Sequence, residues 1–125
     1  MKIQKSAEDY LEAMLMLRER NGYIRSVDVA VQLNVTKPSV SYAVKRLRES
    51  GYIDTDENGL LHLLPAGEAI AQEMYTRHQV LTEFLIALGV EDSIARRDAC
   101  KIEHDLSDES FECIRQYADR FLKQN

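Results

Sequence analysis

The feature that most constrains the fold is a helix that runs directly into a two-stranded hairpin. Residues 37–51, "KPSVSYAVKRLRESG", have apolar residues at helical spacing, Pro38 in the first turn and Gly51 as the stop signal. Two short β-prone runs follow, at 52–54 and 60–64, and the sequence Asp-Glu-Asn-Gly between them is typical of a hairpin turn. The pattern therefore predicts a helix packed closely against a small sheet.

Two more helices are predicted before this segment. Residues 6–20 have apolar side chains at helical spacing, with Ser6 as a candidate N-cap, and an Asn-Gly pair follows as the stop. A short second helix is predicted at 27–34, capped by Ser26, and residues 34–36 form a tight turn into the third helix. The order helix, helix, turn, helix and hairpin is that of a winged helix-turn-helix.

The rest of the chain is predicted to be helical, which makes the protein mainly α. A fourth helix runs from Pro65 to about Leu88, where Gly89 breaks it, and a fifth covers about 91–104. A sixth helix is predicted after an N-cap at Ser107. Its apolar face consists of Phe111, Ile114, Tyr117, Ala118, Phe121 and Leu122.

Composition is that of an ordinary globular protein. The chain has 125 residues, 45% of them hydrophobic and 30% charged. No signal peptide is visible, and the longest apolar run, 84–90, is too short to span a bilayer. We therefore expect a cytoplasmic protein with no membrane partner. The order of the predicted elements divides it into a winged helix-turn-helix domain at 1–64 and a helical domain at 65–125.

Charge places any nucleic-acid surface in the first domain. The net charge of −5 argues against a general polyanion binder, but residues 1–50 carry nine basic and six acidic side chains. The third helix combines cations that suit phosphates with hydroxyls and a tyrosine that suit groove contacts. The predicted DNA-binding residues are Ser26, Thr36, Lys37, Pro38, Ser39, Ser41, Tyr42, Lys45 and Arg46. The alternative is that these side chains only form the solvent-exposed face of the helix. The hairpin, which would be the wing, is acidic and is not expected to hold phosphates strongly.

The peptide "DACKIEHDL", residues 98–106, is the chemically densest part of the chain. Cys100, Glu103 and His104 stand at offsets of 0, +3 and +4. On a helix, such residues lie within an arc of about 100°. The spacing therefore predicts that a thiol, a carboxylate and an imidazole point the same way.

Three further residues could join that group if the helices pack as a bundle. Asp9 and Glu12 are three residues apart on the first helix, and His78 lies on the fourth. Spacing alone leaves their role open. The two carboxylates could complement the positive end of their helix, the histidine could be a hydrogen-bonding core residue, and Cys100 could be a small apolar one.

Five segments together resemble the DtxR/MntR family of metal-activated transcriptional repressors. They are "EDYLEAMLML", "TKPSVSYAVKRLRESGYI", "GLLHLLPAGEAIA", "RHQVLTEFLIALGV" and "ARRDACKIEHDLSDES", which follow in family order and cover about residues 6–115. The resemblance implies that the second domain binds metal and dimerises. It also implies a homodimer that binds a double-stranded DNA operator and represses Mn or Fe uptake genes. The chain is similar to the short, MntR-like form, without the SH3-like domain of longer members.

This resemblance also implies a set of metal ligands, namely Asp9, Glu12, His78, Cys100, Glu103 and His104. Manganese-sensing members have a carboxylate where this chain has Cys100, whereas iron-sensing members have the cysteine but a methionine where it has Asp9. Carboxylates and imidazoles suit Mn²⁺ or Fe²⁺, and a thiolate shifts preference toward Fe²⁺, Co²⁺ or Zn²⁺. We expect Mn²⁺ or Fe²⁺, with Co²⁺ or Zn²⁺ possible in vitro.

Three positions depart from the family pattern. Thr82 stands where members often have Glu, and Glu83 is one residue out of register. Arg96 stands where iron-type members have a histidine ligand to an ancillary ion. An ancillary site of the iron type is therefore not expected.

Other classes of function remain as alternatives. An enzyme is not expected, since the chain has neither an H-E-x-x-H motif nor a glycine-rich phosphate-binding loop. A winged-helix redox sensor could act through Cys100, with Cys113 as the partner thiol. A helical interaction module would bind neither metal nor DNA.

Overall fold

The computed structural model of the protein describes the backbone of residues 5–121 and the side chains of residues 5–120. Within that range the elements are α1 (Lys5–Asn21), α2 (Ser26–Leu33), α3 (Lys37–Glu49), β1 (Ile53–Thr55), β2 (Leu61–Leu63), α4 (Pro65–Ala87), α5 (Asp92–Ile102) and α6 (Asp108–Phe121). The chain forms two compact units, Met1–Glu73 and Met74–Asn125, with the division inside α4. The elements and their order are those predicted, although several helix ends differ.

Helix α1 supplies much of the core of the first unit. Leu11, Met14, Leu15 and Leu17 are each at most 1% exposed, at the spacing of one helix face. The helix ends as predicted, because Gly22 adopts a left-handed φ of +83° and its N–H donates to Arg18 O at 2.7 Å. Ser6 was predicted as the N-cap, but it lies inside the helix, which already includes Lys5.

The turn between α2 and α3 forms at the predicted residues, 34–36. Asn34 caps α2 in a left-handed conformation, with φ of 55°. Thr36 caps α3, and its Oγ1 accepts a hydrogen bond from the Ser39 N–H at 3.2 Å. Ser26 was predicted to cap α2 but is its first helical residue, because Arg25 occupies the cap position with extended backbone.

The hairpin forms with the predicted turn. Ile53 pairs with Leu63, and Thr55 pairs with Leu61, in an antiparallel register. The Asp56 carboxylate organises the turn by accepting hydrogen bonds from two backbone N–H groups, those of residues 58 and 60, at 2.8 and 3.0 Å. It also lies 2.8 Å from His62 Nε2, and this hydrogen bond lowers the pKa of Asp56.

The start of α4 packs tightly within the first unit. A Cβ at Gly67 would lie 2.1 Å from the Tyr52 carbonyl oxygen, so the helix can approach the strand segment only where a side chain is absent. Nearby, Arg18 Nη1 donates to a Glu68 oxygen at 2.9 Å, and this contact lowers the pKa of Glu68. These contacts attach the first turn of α4 to α1 and the hairpin.

The second unit has its own small core. Leu81, Ala99 and Phe111 are buried together, one from each of α4, α5 and α6. Ser107 caps α6 as predicted, accepting from the Ser110 N–H at 3.0 Å. Leu122, predicted on the apolar face of α6, lies outside the described residues.

The fifth helix is shorter than predicted. It ends at Ile102 rather than near 104, Glu103 is its C-cap, and residues 103–105 form a turn. The predicted end near 104 is therefore about two residues too late. Glu103 keeps helical backbone angles of −60° and −30°, and its carboxylate lies within 4.8 Å of the Cys100 thiol, whereas His104 lies in the turn.

None of the helices found between residues 5 and 121 combines the length and apolar character that crossing a membrane would require.

Candidate metal centre and DNA-binding surface

Three potential metal ligands meet inside the second unit. His78 Nδ1 lies 3.6 Å from Cys100 Sγ and 3.3 Å from Glu103 Oε2. One ligand atom from each residue lies within 4.8 Å of the others. An ion held at about 2.0–2.3 Å by each ligand separates the ligand atoms by only a few ångströms. The cluster therefore has the dimensions of a coordination site.

The end of α5 decides how these side chains meet. The Glu103 N–H still donates to Ala99 O at 3.0 Å, so its backbone is held at the helix terminus while the chain turns away. The turn brings His104 next to the same carboxylate, with Nε2 at 3.4 Å from Glu103 Oε1. One carboxylate oxygen therefore faces His78 and the other faces His104.

Burial differs strongly among the members of this cluster. Glu103 is 1% exposed and His78 is 9% exposed, whereas Cys100 is exposed. A carboxylate out of water is costly unless positive charge or hydrogen bonds compensate it. Imidazole, thiol and carboxylate are also the donor types that first-row divalent metals take. The residues present therefore fit such an ion.

The other two predicted ligands lie in the first unit. Asp9 and Glu12 are one turn apart on α1, so both carboxylates emerge from one side of that helix. Glu12 is 6% exposed, in a run of buried residues, and Asp9 is half-buried. The structure thus places four of the six predicted ligands together in the second unit and two together on α1.

At the positions that depart from the family pattern, the side chains do not replace the ligands that family members have there. Thr82 is buried but offers only a hydroxyl, and the neighbouring Glu83 is exposed. The Arg96 Nε donates to Asp92 at 2.6 Å in an exposed ion pair, which also raises the pKa of Arg96. These contacts give no reason to expect an ancillary ion at Arg96.

The predicted DNA-binding side chains form an exposed surface on the first unit. Ser26 is half-buried, and the exposed members are Thr36, Lys37, Pro38, Ser39, Ser41, Tyr42, Lys45 and Arg46. The inward face of α3 carries the buried Val40 and Leu47, which fixes the opposite face toward solvent.

Two of these side chains contact each other. Arg46 Nη1 donates to the Tyr42 hydroxyl at 3.0 Å, and its guanidinium lies 5.6 Å from the centre of the tyrosine ring. Sequence reasoning missed that Ser6 and Tyr10 of α1 line the same groove as this pair. The groove depends on how α1 packs against α3, which no local sequence pattern encodes.

Two family descriptions together match nearly the whole chain. Residues 2–61 match "Iron dependent repressor, N-terminal DNA binding domain". Residues 64–124 match "Iron dependent repressor, metal binding and dimerisation domain".

Curated relatives and solved structures agree with these matches. The transcriptional regulator MntR of Escherichia coli O157:H7 is 38% identical over 113 residues, covering 90% of this chain and 73% of that protein. MntR of Geobacillus kaustophilus strain HTA426 is 38% identical over 102 residues, covering 82% and 72%. A manganese-dependent transcriptional repressor solved in complex with manganese has a TM-score of 0.83 at 26% identity, covering 90% of this chain and 52% of that one. The manganese regulator SloR has a TM-score of 0.80 at 27% identity, covering 90% and 53%, so this chain spans about half the length of these two structures.

Proposed function

Because the chain belongs to the iron dependent repressor family of DNA-binding transcriptional regulators, we propose that Mn²⁺ or Fe²⁺ controls its affinity for an operator. Family membership confirms the DtxR/MntR resemblance, the mainly α fold with a winged helix-turn-helix and a helical domain, and the predicted metal-dependent repressor. It also confirms that the protein is not an enzyme. The redox-sensor alternative is not favoured, and a module that binds neither DNA nor metal does not fit the two matched domains.

The cluster in the second unit is the observation that carries the proposal. His78, Cys100 and Glu103 offer three different donor atoms within 4.8 Å of one another, and His104 adjoins Glu103. We infer that these residues hold the ion and that Asp9 and Glu12 complete its ligands. When bound, the ion supplies the positive charge that compensates several carboxylates.

The ligand positions suggest how DNA affinity is controlled. Asp9 and Glu12 lie on α1, which packs against α2 and α3 in the first unit. Like-charged carboxylates that share a site repel one another unless a cation compensates them. A cation that compensates this repulsion would allow α1 to be held in one position. Because α3 packs against α1, it would be held as well. By reciprocal coupling, operator binding must also tighten metal binding.

The remaining parts of the proposal concern the partners. We propose a cytoplasmic homodimer whose two copies of α3 read half-sites about one DNA turn apart, roughly 34 Å. Its regulated genes would encode uptake of the same ion. The relatives named as manganese regulators support Mn²⁺, whereas the thiol of Cys100 favours Fe²⁺, with Co²⁺ or Zn²⁺ possible in vitro.

Operator binding with and without metal tests the function. The operator is selected from random-sequence DNA by protein loaded with Mn²⁺ or Fe²⁺, and binding is then titrated by gel shift under reducing conditions. We expect tight binding with the ion and weak binding with chelator. Asp9→Ala should require at least about ten-fold more metal, because one ligand is lost. Glu19→Ala, an exposed carboxylate on the same helix, is the control and should behave as wild type.

Two results would contradict parts of the proposal separately. Equal operator affinity with chelator and with metal would exclude metal control. An unchanged metal requirement in Asp9→Ala would remove that residue from the ligand set.

A substitution at Cys100 tests the choice of ion. Cys100→Glu replaces a soft sulfur donor by oxygen, so the ratio of Mn²⁺ to Zn²⁺ affinity should rise about ten-fold or more. The measurement is calorimetry with each ion under reducing conditions. Cys113→Glu, at the other free exposed cysteine, is the matched control, and an unaltered ratio in Cys100→Glu would mean that the thiol does not set metal preference.

A further inference from the structure

Arg77, which directly precedes His78, is an arginine buried within the second unit. It is only 4% exposed, although it lies on α4 and carries a permanent positive charge. Its Nη1 donates to the Glu103 carbonyl at 2.9 Å and to the Leu106 carbonyl at 2.8 Å. One nitrogen of the guanidinium therefore joins α4 to both ends of the turn that follows α5.

The other side of the guanidinium reaches α6. Its Nη2 donates to Asp108 Oδ1 at 2.5 Å, and its Cζ lies 4.9 Å from the centre of the Phe111 ring. Both residues belong to the first turn of α6. A planar fork of donors can serve two carbonyls and a carboxylate at once, which a single ammonium cannot do with the same geometry.

The end of α5 explains why such a residue is needed there. The last carbonyls of a helix have no partners within the helix, and a following glycine often allows the chain to fold back and satisfy them. Beyond Gly89 the sequence contains no glycine. Arg77 accordingly supplies hydrogen bonds to backbone carbonyls at Glu103 and Leu106 from a different helix.

We propose that Arg77 is a positioning residue that holds the 103–106 turn so that Glu103 and His104 stand beside His78 before an ion binds. This inference rests on the proposed metal-dependent function. Arg77 and His78 are consecutive on α4, so each hydrogen bond from Arg77 to the turn also fixes the distance from the turn to His78. The contacts with Asp108 and Phe111 attach the start of α6 to the same assembly.

The test is a Co²⁺ titration of the full chain carrying Arg77→Met, which keeps a long side chain but removes every donor. Loss of a residue that orients metal ligands weakens metal affinity by about 10–100-fold, and we expect a loss in this range. The visible d–d bands of bound Co²⁺, which report coordination geometry, should change as well. Arg115→Met removes a half-buried arginine that pairs with carboxylates of α6 and should leave affinity and bands unchanged.

Two further measurements distinguish a positioning role of Arg77 from a general contribution to protein stability. Circular dichroism in chelator shows whether each variant is folded at the temperature of the titration. Arg77→Lys keeps the charge without the fork, so its Co²⁺ affinity should lie between those of wild type and Arg77→Met. If Arg77→Met fails to fold, the Co²⁺ affinity of Arg77→Lys tests the proposal instead.

Wild-type affinity and bands in a folded Arg77→Met, or in Arg77→Lys when it alone folds, would overturn the inference. A wild-type protein that binds Co²⁺ tightly without gaining operator affinity would instead contradict the proposed function and leave the role of Arg77 intact.

Discussion

Glu103→Gln is expected to weaken Mn²⁺ or Co²⁺ binding by at least about a hundred-fold, because even residues that only orient ligands contribute 10–100-fold. The amide has nearly the same shape as the carboxylate but lacks its negative charge. Glu103 is 1% exposed and its two oxygens face two imidazoles, at 3.3 and 3.4 Å. Operator binding at metal concentrations that saturate wild type should therefore be lost, as measured by calorimetry for the ion and by gel shift for DNA.

Glu83→Gln is the matched control for this change. Glu83 is an exposed carboxylate on α4, the helix that carries His78. It should retain wild-type metal affinity and operator binding. Metal affinity reduced by less than ten-fold in a folded Glu103→Gln protein would mean that Glu103 is not a ligand, and the cluster would then have to be interpreted as a buried hydrogen-bonding group.

Arg46→Ala is expected to lower operator affinity strongly while leaving metal affinity unchanged. An arginine that contacts base edges contributes about 1–3 kcal/mol, which corresponds to a loss of roughly 5- to 150-fold. Arg46 is exposed on α3 and is oriented by its hydrogen bond to the Tyr42 hydroxyl. The measurements are gel-shift titration with the metal-loaded protein and calorimetry with the ion.

The pattern of loss distinguishes two roles for Arg46. A contact to a base should relax sequence preference at one operator position, whereas a contact to a phosphate should weaken all sequences equally and reduce the salt dependence. Arg96→Ala, an exposed arginine of the second unit, serves as the control. Undiminished operator affinity in Arg46→Ala would remove the pair with Tyr42 from the DNA-binding surface.

Local sequence signals were sufficient for most of the fold. Thr36 and Gly51 act through hydrogen bonds and backbone conformations that involve only their near neighbours, so their roles can be predicted from residue type. The ends of α1 and α2 illustrate the limit of this reasoning. Ser6 and Ser26 are good capping residues, but each lies inside its helix, because the cap position depends on backbone conformation as well as residue type.

The candidate site was predicted less completely from the sequence than the fold was. Cys100, Glu103 and His104 were predicted to share a helical face, whereas Glu103 is the C-cap of the helix and His104 lies in the turn that follows. The carbonyl of Glu103 accepts a hydrogen bond from Arg77, which is 26 residues away along the chain. Periodicity detects neighbours three or four residues apart, so it cannot detect a helix end that a distant arginine stabilises. The assignment of Asp9 and Glu12 as ligands came from family resemblance alone and stays a prediction.

The backbone of Glu103 is restrained from both directions. Its N–H donates to Ala99 O at 3.0 Å, and its carbonyl accepts from Arg77 at 2.9 Å. Most of the backbone conformational entropy of this residue is therefore lost when the protein folds rather than when an ion arrives. Coordination then requires little further ordering of the residue, and more of the interaction energy appears as affinity.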